Sequence, residues 1–316
     1  MIGDEDVRQL LRRSWGLADG THVARHDGGM GSQTWIVNQG ERRWVAKSVA
    51  PHLADSFAHG LEVARILDDA GIRSGAPAPA LSGSMTVDTA SGDRVALLTW
   101  VPGSPLTGAD EAEQRLIGDT LARVHRVLRN REVPGAQPFH WVDPAAGHLD
   151  LRPWLRPAVT AAADALTALQ NRERASWPQG LLHADPAPEA FRLDLASAQC
   201  GIIDWSSAHY GPLLYDLASA VMYLGGPTGA AAMTDAYQAA ALLTGREIAE
   251  GLPVMLRFRW AVQADYFALR ITANDLTGIT GPEENEKGLE DARLALLDDG
   301  CHQPCPRSGG LPRSTA

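Results

Sequence analysis

The chain has 316 residues, of which 45% are hydrophobic and 21% charged, with a formal net charge of −10. That length exceeds what most single cores fill and suits two lobes, and the ordinary composition gives no sign of bulk disorder. The acidic balance speaks against unspecific nucleic-acid binding, which needs a basic footprint; it agrees with a cationic ligand or with plain solubility.

In chain order, residues 4–14 read as a short amphipathic helix with Val7, Leu10 and Leu11 on one side. Three strands follow, THVARHD, TWIVNQ and RWVAKSV, an antiparallel meander with glycines at its bends. Gly28, Gly29, Gly31 and Ser32 fall in its first turn. Residues 55–70 carry Phe57, Leu61, Ala64 and Leu67 at helical spacing. After a Pro/Gly-rich passage, MTVDTA and RVALLTWV read as two further strands. Sheet, helix and sheet make an α+β unit of roughly 100 residues. VPGSPLTG (101–108) reads as a linker.

Beyond it the chain turns helical, beginning with an amphipathic helix over 110–130 that carries Leu116, Ile117, Leu121, Val124 and Leu128. Residues 131–152 are irregular, and 157–176 are Ala-rich and helical. Two short apolar strands, GLLHAD and CGIIDW, bracket a loop. Helices are expected at LLYDLASAVMYL, GAAAMTDAYQAAALL, PVMLRFRWAVQADYFALRI and about 283–298. The segment 300–316 lacks periodicity and is expected to be a disordered tail.

Three cysteines are too few for a disulfide scaffold. Cys200 lies beside an apolar run and is expected to be buried, while Cys301 and Cys305 flank His302 among Gly, Pro, Ser and Arg, without a frame for a metal. The start is acidic and then amphipathic, unlike a secretory signal, and no apolar run reaches the roughly 18 residues of a membrane span. A cytoplasmic protein without a membrane partner is expected.

The passage that carries chemistry is LLHADPAPEAFRLDLASAQCGIIDWSSAHYGPLLYDLASA. An apolar strand ends in His183-Ala-Asp185; a second ends in Ile-Ile-Asp204-Trp, nineteen residues later; a third aspartate, Asp216, follows in Gly-Pro-Leu-Leu-Tyr-Asp. Any one of these could be a loop or cap residue. The order and the flanking strands make the set informative.

It resembles the catalytic and metal loops of the aminoglycoside phosphotransferase and choline-kinase-like family, where the pattern runs close to H-G-D-x-x-x-x-N, then I-D-W, then G-P-x-x-x-D-L-A. The resemblance covers roughly residues 20–270. It implies a two-lobed, protein-kinase-like α+β fold: a nucleotide-binding lobe at 1–101 and a helical catalytic and acceptor-binding lobe at 102–299. It also implies ATP or GTP with Mg²⁺ and transfer to a hydroxyl of a small molecule, such as a cationic antibiotic or amino sugar.

By the same resemblance Asp185 receives the acceptor's proton, His183 braces the loop, Asp204 binds magnesium and Asp216 anchors the loop. Lys47 in RWVAKSV matches the kinase V-A-I-K strand and pairs with the α- and β-phosphates, with Glu62 as its helix partner. Gly29, Gly31 and Ser32 lend backbone N–H groups to the phosphates. Thr99, Trp100 and Val101 border the adenine. In the family the acceptor lies on the helical lobe, which makes Trp260, Gln263, Asp265, Tyr266, His209 and Tyr210 candidates here. The acidic run at Glu283, Glu284 and Glu286 is either a lure for a polycation or a solvated face.

One departure stands out. The family's metal-binding Asn is Ala190 here, five residues after Asp185. Ala cannot ligate, and the adjacent Glu189 is the expected substitute; the alternatives are a single metal held by Asp204 or loss of catalysis. The rival readings are a kinase acting on a peptide and a non-catalytic nucleotide-binding protein.

Overall fold

The computed structural model describes residues 2–26, 31–133, 135–139, 141–173 and 177–297. Helix α1 (Asp4–Trp15) buries Val7, Leu10, Leu11 and Trp15. These join Val23, Trp35, Val37, Ala46, Val95 and Leu97 in one apolar cluster, so α1 covers a face of the first sheet. That sheet contains β1 (His22–His26), β2 (Ser32–Gln39), β3 (Arg42–Val49), β4 (Pro77–Ala78), β5 (Val87–Asp88) and β6 (Arg94–Thr99). Its order is β1-β2-β3-β6-β4, with β5 also on β6 and every pairing antiparallel. MTVDTA thus supplies only a two-residue strand, and the Pro/Gly-rich passage adds another whose Pro77 suits an edge because it has no N–H to donate.

Strand alternation decides where Lys47 sits. Ala46 belongs to the α1 side, so Lys47 and Val49 lie on the opposite face. There Val49 and Ala96 pack against Phe57 and Leu61 of α2 (Ala54–Asp69). The next turns of α2 place Val63, Ala64 and Leu67 in the large core of the remaining chain. Helix α2 therefore packs on both lobes.

The expected linker is more than a connector. Its Ser104–Pro105 forms β7, which pairs with β9 (Phe191–Asp194), and the Leu106 N–H donates to the Phe191 carbonyl. Gly103 (φ 109°) permits the approach, since a Cβ there would lie 2.3 Å from the Leu193 carbonyl carbon.

The helical lobe follows with α3 (Glu111–Leu128), capped by the Asp110 carboxylate on the Glu113 N–H, and α4 (Leu155–Glu173). Strand β8 (Gln179–Leu182) pairs with β11 (His209–Pro212), and β9 pairs with β10 (Gln199–Ile202). Strands β9 and β11 escape the sequence reading because four-residue strands carry too little periodicity. Helices α5 (Leu213–Tyr223), α6 (Gly226–Gly229), α7 (Ala231–Ala239), α8 (Gly245–Thr272) and α9 (Pro282–Leu297) complete it. Helix α8 begins well before Pro253, the expected start, because Thr244 and Glu247 form a reciprocal capping box; Pro253 then lies inside the helix. Cys200 is buried as expected, whereas the segment 300–316 lies outside the described residues. Among the described residues, no helix is long and apolar enough to cross a membrane.

Two backbone positions generate predictions. Helix α2 touches the turn Trp205–Ser207: the Ser56 hydroxyl donates to the Ser206 carbonyl at 2.8 Å. A Cβ on Gly60 would lie 2.1 Å from the Trp205 carbonyl oxygen. Gly60→Ala must push α2 off that turn and is expected to cost about 1–3 kcal/mol, as overpacking does; denaturant melts check this, and unchanged stability would contradict the close approach. Ala184 has φ 67°, a left-handed conformation that penalises a Cβ, and is held there by its N–H to Asp216. Ala184→Gly is expected to gain about 1 kcal/mol by relieving that strain. A lower melting midpoint in the variant would refute the assignment.

Candidate active site

The site is built on a buried carboxylate. Asp216, in the first turn of α5, is 0% exposed. It accepts the His183 N–H through Oδ2 and the Ala184 N–H through Oδ1, both at 2.7 Å. His125 Nε2 lies 3.0 Å from Oδ2, and its Nδ1 lies 2.7 Å from the Tyr237 hydroxyl. A carboxylate only accepts, so Nε2 carries the proton and Tyr237 donates to Nδ1. Burial, then the Asp216 charge, keep that phenol protonated. The loop after β8 is thus fixed at its backbone. Asp216 anchors this loop, as expected for it.

His183 links this loop to the next. Its ring is buried against Trp205, and Nε2 donates to the Ile203 carbonyl at 2.9 Å. Nδ1 has no partner. The imidazole therefore braces the residue just before Asp204. Asp204 itself adopts φ 72°, a left-handed conformation that Asp tolerates. It accepts the Ser206 hydroxyl at 2.9 Å.

Lys47 reaches across from β3 and donates to Asp204 Oδ1 at 2.7 Å. The lysine ammonium pulls the Asp204 carboxyl down to about 2, against a smaller opposing effect of burial. Asp204 is therefore anionic throughout the neutral range. The expected partner of Lys47 requires correction: Glu62 is engaged by Arg65 one turn along α2, at 2.5 and 2.9 Å, and does not meet the lysine. An i,i+3 guanidinium on the same helix face captures a carboxylate more readily than a strand lysine that already has Asp204.

Asp185 is half-exposed. Its Oδ1 accepts from the Tyr223 hydroxyl and, at 3.1 Å, from the Arg259 guanidinium. Burial, and after it the Asp185 charge, push the Tyr223 phenol well above its ordinary value, so it donates. Glu189 is exposed on the short helical turn Pro188–Ala190, close enough to Tyr223 to add to that field. Ala190 is buried, with its N–H on the Ala187 carbonyl and its own carbonyl on the Ile203 N–H.

On the nucleotide side, Gly31 has φ 121°, and Ser32 opens β2 opposite Val49 instead of sitting in the turn. Gly28 and Gly29 lie outside the described residues. The Thr99 N–H is taken by the Ala76 carbonyl, Trp100 is stacked under Arg43 at 3.7 Å, and the Val101 side chain is buried.

Several acceptor candidates have structural partners. Gln263 donates to the Gly288 carbonyl and joins α8 to α9. Asp265 meets His148 at 2.7 Å, and Glu286 holds Arg152. Glu284 accepts from Thr280. His209 and Tyr210 belong to β11, with the His209 Nδ1 on the Ser207 carbonyl. Trp260 packs on the large core, and Tyr266 remains exposed.

The residues missed by sequence reading are Tyr223, Arg259, Ser206 and His125. Arg259 had a legible signal: it lies four residues after Met255 and three before Val262, on the buried stripe of α8. A charge on an apolar stripe needs a partner. Tyr223 and His125 had none, because their partners are distant in sequence, and a serine two residues past Asp204 looks like any loop serine.

Among solved structures, the chain is similar to the amicoumacin kinase hAmiN in complex with AMP-PNP, Ca²⁺ and Ami (TM-score 0.72, 14% identity, 94% of both chains covered). It is similar to a microcompartment-associated aminopropanol kinase (0.67, 20%, 93% of this chain and 95% of that one). It is also similar to the spectinomycin phosphotransferase APH(9)-Ia in complex with ADP and spectinomycin (0.64, 12%, 94% and 98%). At these identities the likeness speaks for the fold, the two-lobed kinase-like one. The family assignment comes from sequence: the model of the APH family matches residues 22–252, well over half of the chain. This chain belongs to the APH phosphotransferase enzyme family.

Proposed function

We propose that this phosphotransferase moves the γ-phosphoryl group of ATP or GTP onto a hydroxyl of a small molecule. The observation that carries the reading is the meeting of Lys47 and Asp204 at 2.7 Å, a cation from the sheet and a carboxylate from the loop after β10. Phosphoryl transfer asks a protein for positioning and charge neutralisation, and these two groups supply both from opposite lobes. The small-molecule kinases of the same fold support the acceptor class.

In this reading Lys47 pairs with the α- and β-phosphates, and Gly29, Gly31 and Ser32 lend backbone N–H groups to them. Thr99, Trp100 and Val101 border the base, through backbone groups other than the Thr99 N–H. Residues 1–101 hold the nucleotide and 102–299 the acceptor. Asp185 takes the proton of the acceptor hydroxyl as its O–H bond breaks and its oxygen bonds to phosphorus. The bond to the leaving nucleoside diphosphate breaks, and that oxygen keeps the electron pair.

Asp204 fits a magnesium ion, being anionic and a hard oxygen donor, and Glu189 would be the second protein ligand. Held by these two carboxylates, such an ion would supply charge neutralisation for the phosphates. Among the described residues no three His, Cys, Asp or Glu side chains gather into a metal site, so the protein's share of the ligands would be these two carboxylates. Of the acidic run Glu283, Glu284 and Glu286 that would draw a cationic antibiotic or amino sugar, Glu284 and Glu286 are engaged with Thr280 and Arg152. The geometry supports a hydroxyl acceptor without requiring that it be a polycation.

Four measurements test the reading. Assaying transfer from ATP and GTP to aminoglycosides, amino sugars, nucleosides and peptides should find a small-molecule acceptor; nucleotide binding with no turnover on any acceptor would favour the non-catalytic alternative. Asp185→Asn is expected to lower transfer at least ~100-fold while nucleotide affinity is kept, as loss of a general base does. Near-wild-type transfer would remove Asp185 from that role. Asp204→Ala is expected to abolish magnesium-dependent nucleotide binding, and Glu189→Ala to raise the magnesium concentration needed for half-maximal rate. An unchanged requirement in Glu189→Ala would leave a single protein ligand.

A further inference from the structure

The Asp185 carboxylate is bound unevenly. Both side-chain donors fall on one oxygen, Oδ1: the Tyr223 hydroxyl and an Arg259 guanidinium nitrogen at 3.1 Å. Among the described residues, Oδ2 receives no side-chain hydrogen bond from this pair. Arg259 is 7% exposed, and the Asp185 side chain is 49% exposed. The arginine is therefore an interior group that presents its charge to a carboxylate at the surface of the site.

Its own orientation is fixed. The Arg259 Nε donates to the Ser219 hydroxyl at 3.2 Å, and that hydroxyl donates to the Tyr215 carbonyl one turn back along α5 at 2.9 Å. The second contact of its terminal nitrogen is the Tyr223 hydroxyl at 3.3 Å, and the guanidinium lies 5.8 Å from the Tyr223 ring centroid. An arginine so held from α5 cannot swing out to meet a ligand without breaking these bonds. A buried cation left without its carboxylate is strongly unfavourable, so Arg259 and Asp185 are tightly coupled.

We propose that Arg259 and Tyr223 are positioning residues for Asp185, binding Oδ1 so that Oδ2 is the oxygen turned to the acceptor hydroxyl. The clamp draws its members from α8 and α5, elements far from the catalytic loop in sequence, and fixes the carboxylate's rotation about its last bond. Fixed orientation matters because a misplaced reacting group forfeits much of the advantage of proximity. The proposal rests on the reading of Asp185 as the base, and its test separates the two.

The experiment uses the full chain, with Mg-ATP hydrolysis as the probe and water as acceptor, in Arg259→Met, Arg259→Lys and Tyr223→Phe, each alone and combined with Asp185→Asn. Arg259→Met is expected to lower kcat by about 10- to 100-fold at unchanged KM for ATP. Arg259→Lys should recover part of the loss, and Tyr223→Phe should lose less. In the Asp185→Asn background, Arg259→Met should cost no further rate, because its effect is routed through Asp185. A second full drop in that background, or a loss confined to KM, overturns the proposal. If Asp185→Asn alone hydrolyses ATP at the normal rate, the base reading fails, and the clamp is judged on stability alone. There the melting temperatures of the same single and double variants serve, independent of any turnover. Coupled partners should be non-additive by about 2–4 °C, and additive shifts would show that the contact is not made.

Discussion

The site depends on one buried carboxylate. Asp216 has no access to water, and an isolated charge there would be costly. It is tolerated because two backbone N–H groups and a histidine converge on it. Those same bonds dictate the path of the chain at His183 and Ala184, including the left-handed turn at Ala184. With the backbone set there, His183 can reach the Ile203 carbonyl, and Asp185 comes within range of Tyr223 and Arg259. The loop is thus defined from the interior outward, and the groups given chemical roles are its exposed end.

The second constraint is the approach of α2. Only a residue without a side chain permits the helix to sit on the turn after Asp204, and Gly60 occupies that point. The opposite end of the contact is the sheet, where strand alternation turns Lys47 away from α1 and toward Asp204. Helix α2 packs on the sheet with Phe57 and Leu61 and on the large core with Val63, Ala64 and Leu67. It therefore ties the position of the lysine to that of the aspartate. In this arrangement Lys47 is served by Asp204, while Glu62 serves Arg65.

The helical lobe adds a third element, the arginine inside α8. A charge on the buried stripe of a helix weakens packing unless it is paired, and Arg259 is paired with the carboxylate of the loop and oriented by Ser219. Loop, α5 and α8 thereby share one polar network. Its members lie at positions 185, 219, 223 and 259.

The sequence by itself determined the elements with strong periodicity: α1, the three-strand meander, α2, α3 and the last helices. It also determined the order of the three aspartates, because apolar strands that end in acidic residues carry their meaning locally. The family resemblance, not the residues alone, suggested Asp216 as an anchor and Ala190 as the place of the family's asparagine. The four-residue strands β9 and β11 and the pairing of the supposed linker lay beyond the sequence, since their hydrogen bonds are made with distant segments. The early start of α8 was written locally, in the capping box of Thr244 and Glu247, but the proline at 253 obscured it. The choice of partner for Lys47 and the clamp of Tyr223 and Arg259 on Asp185 were decided only by the tertiary structure. A carboxylate on a helix looks the same in sequence whether it faces a strand lysine or its own neighbour, and which it meets is settled by packing that brings residues more than a hundred positions apart into contact.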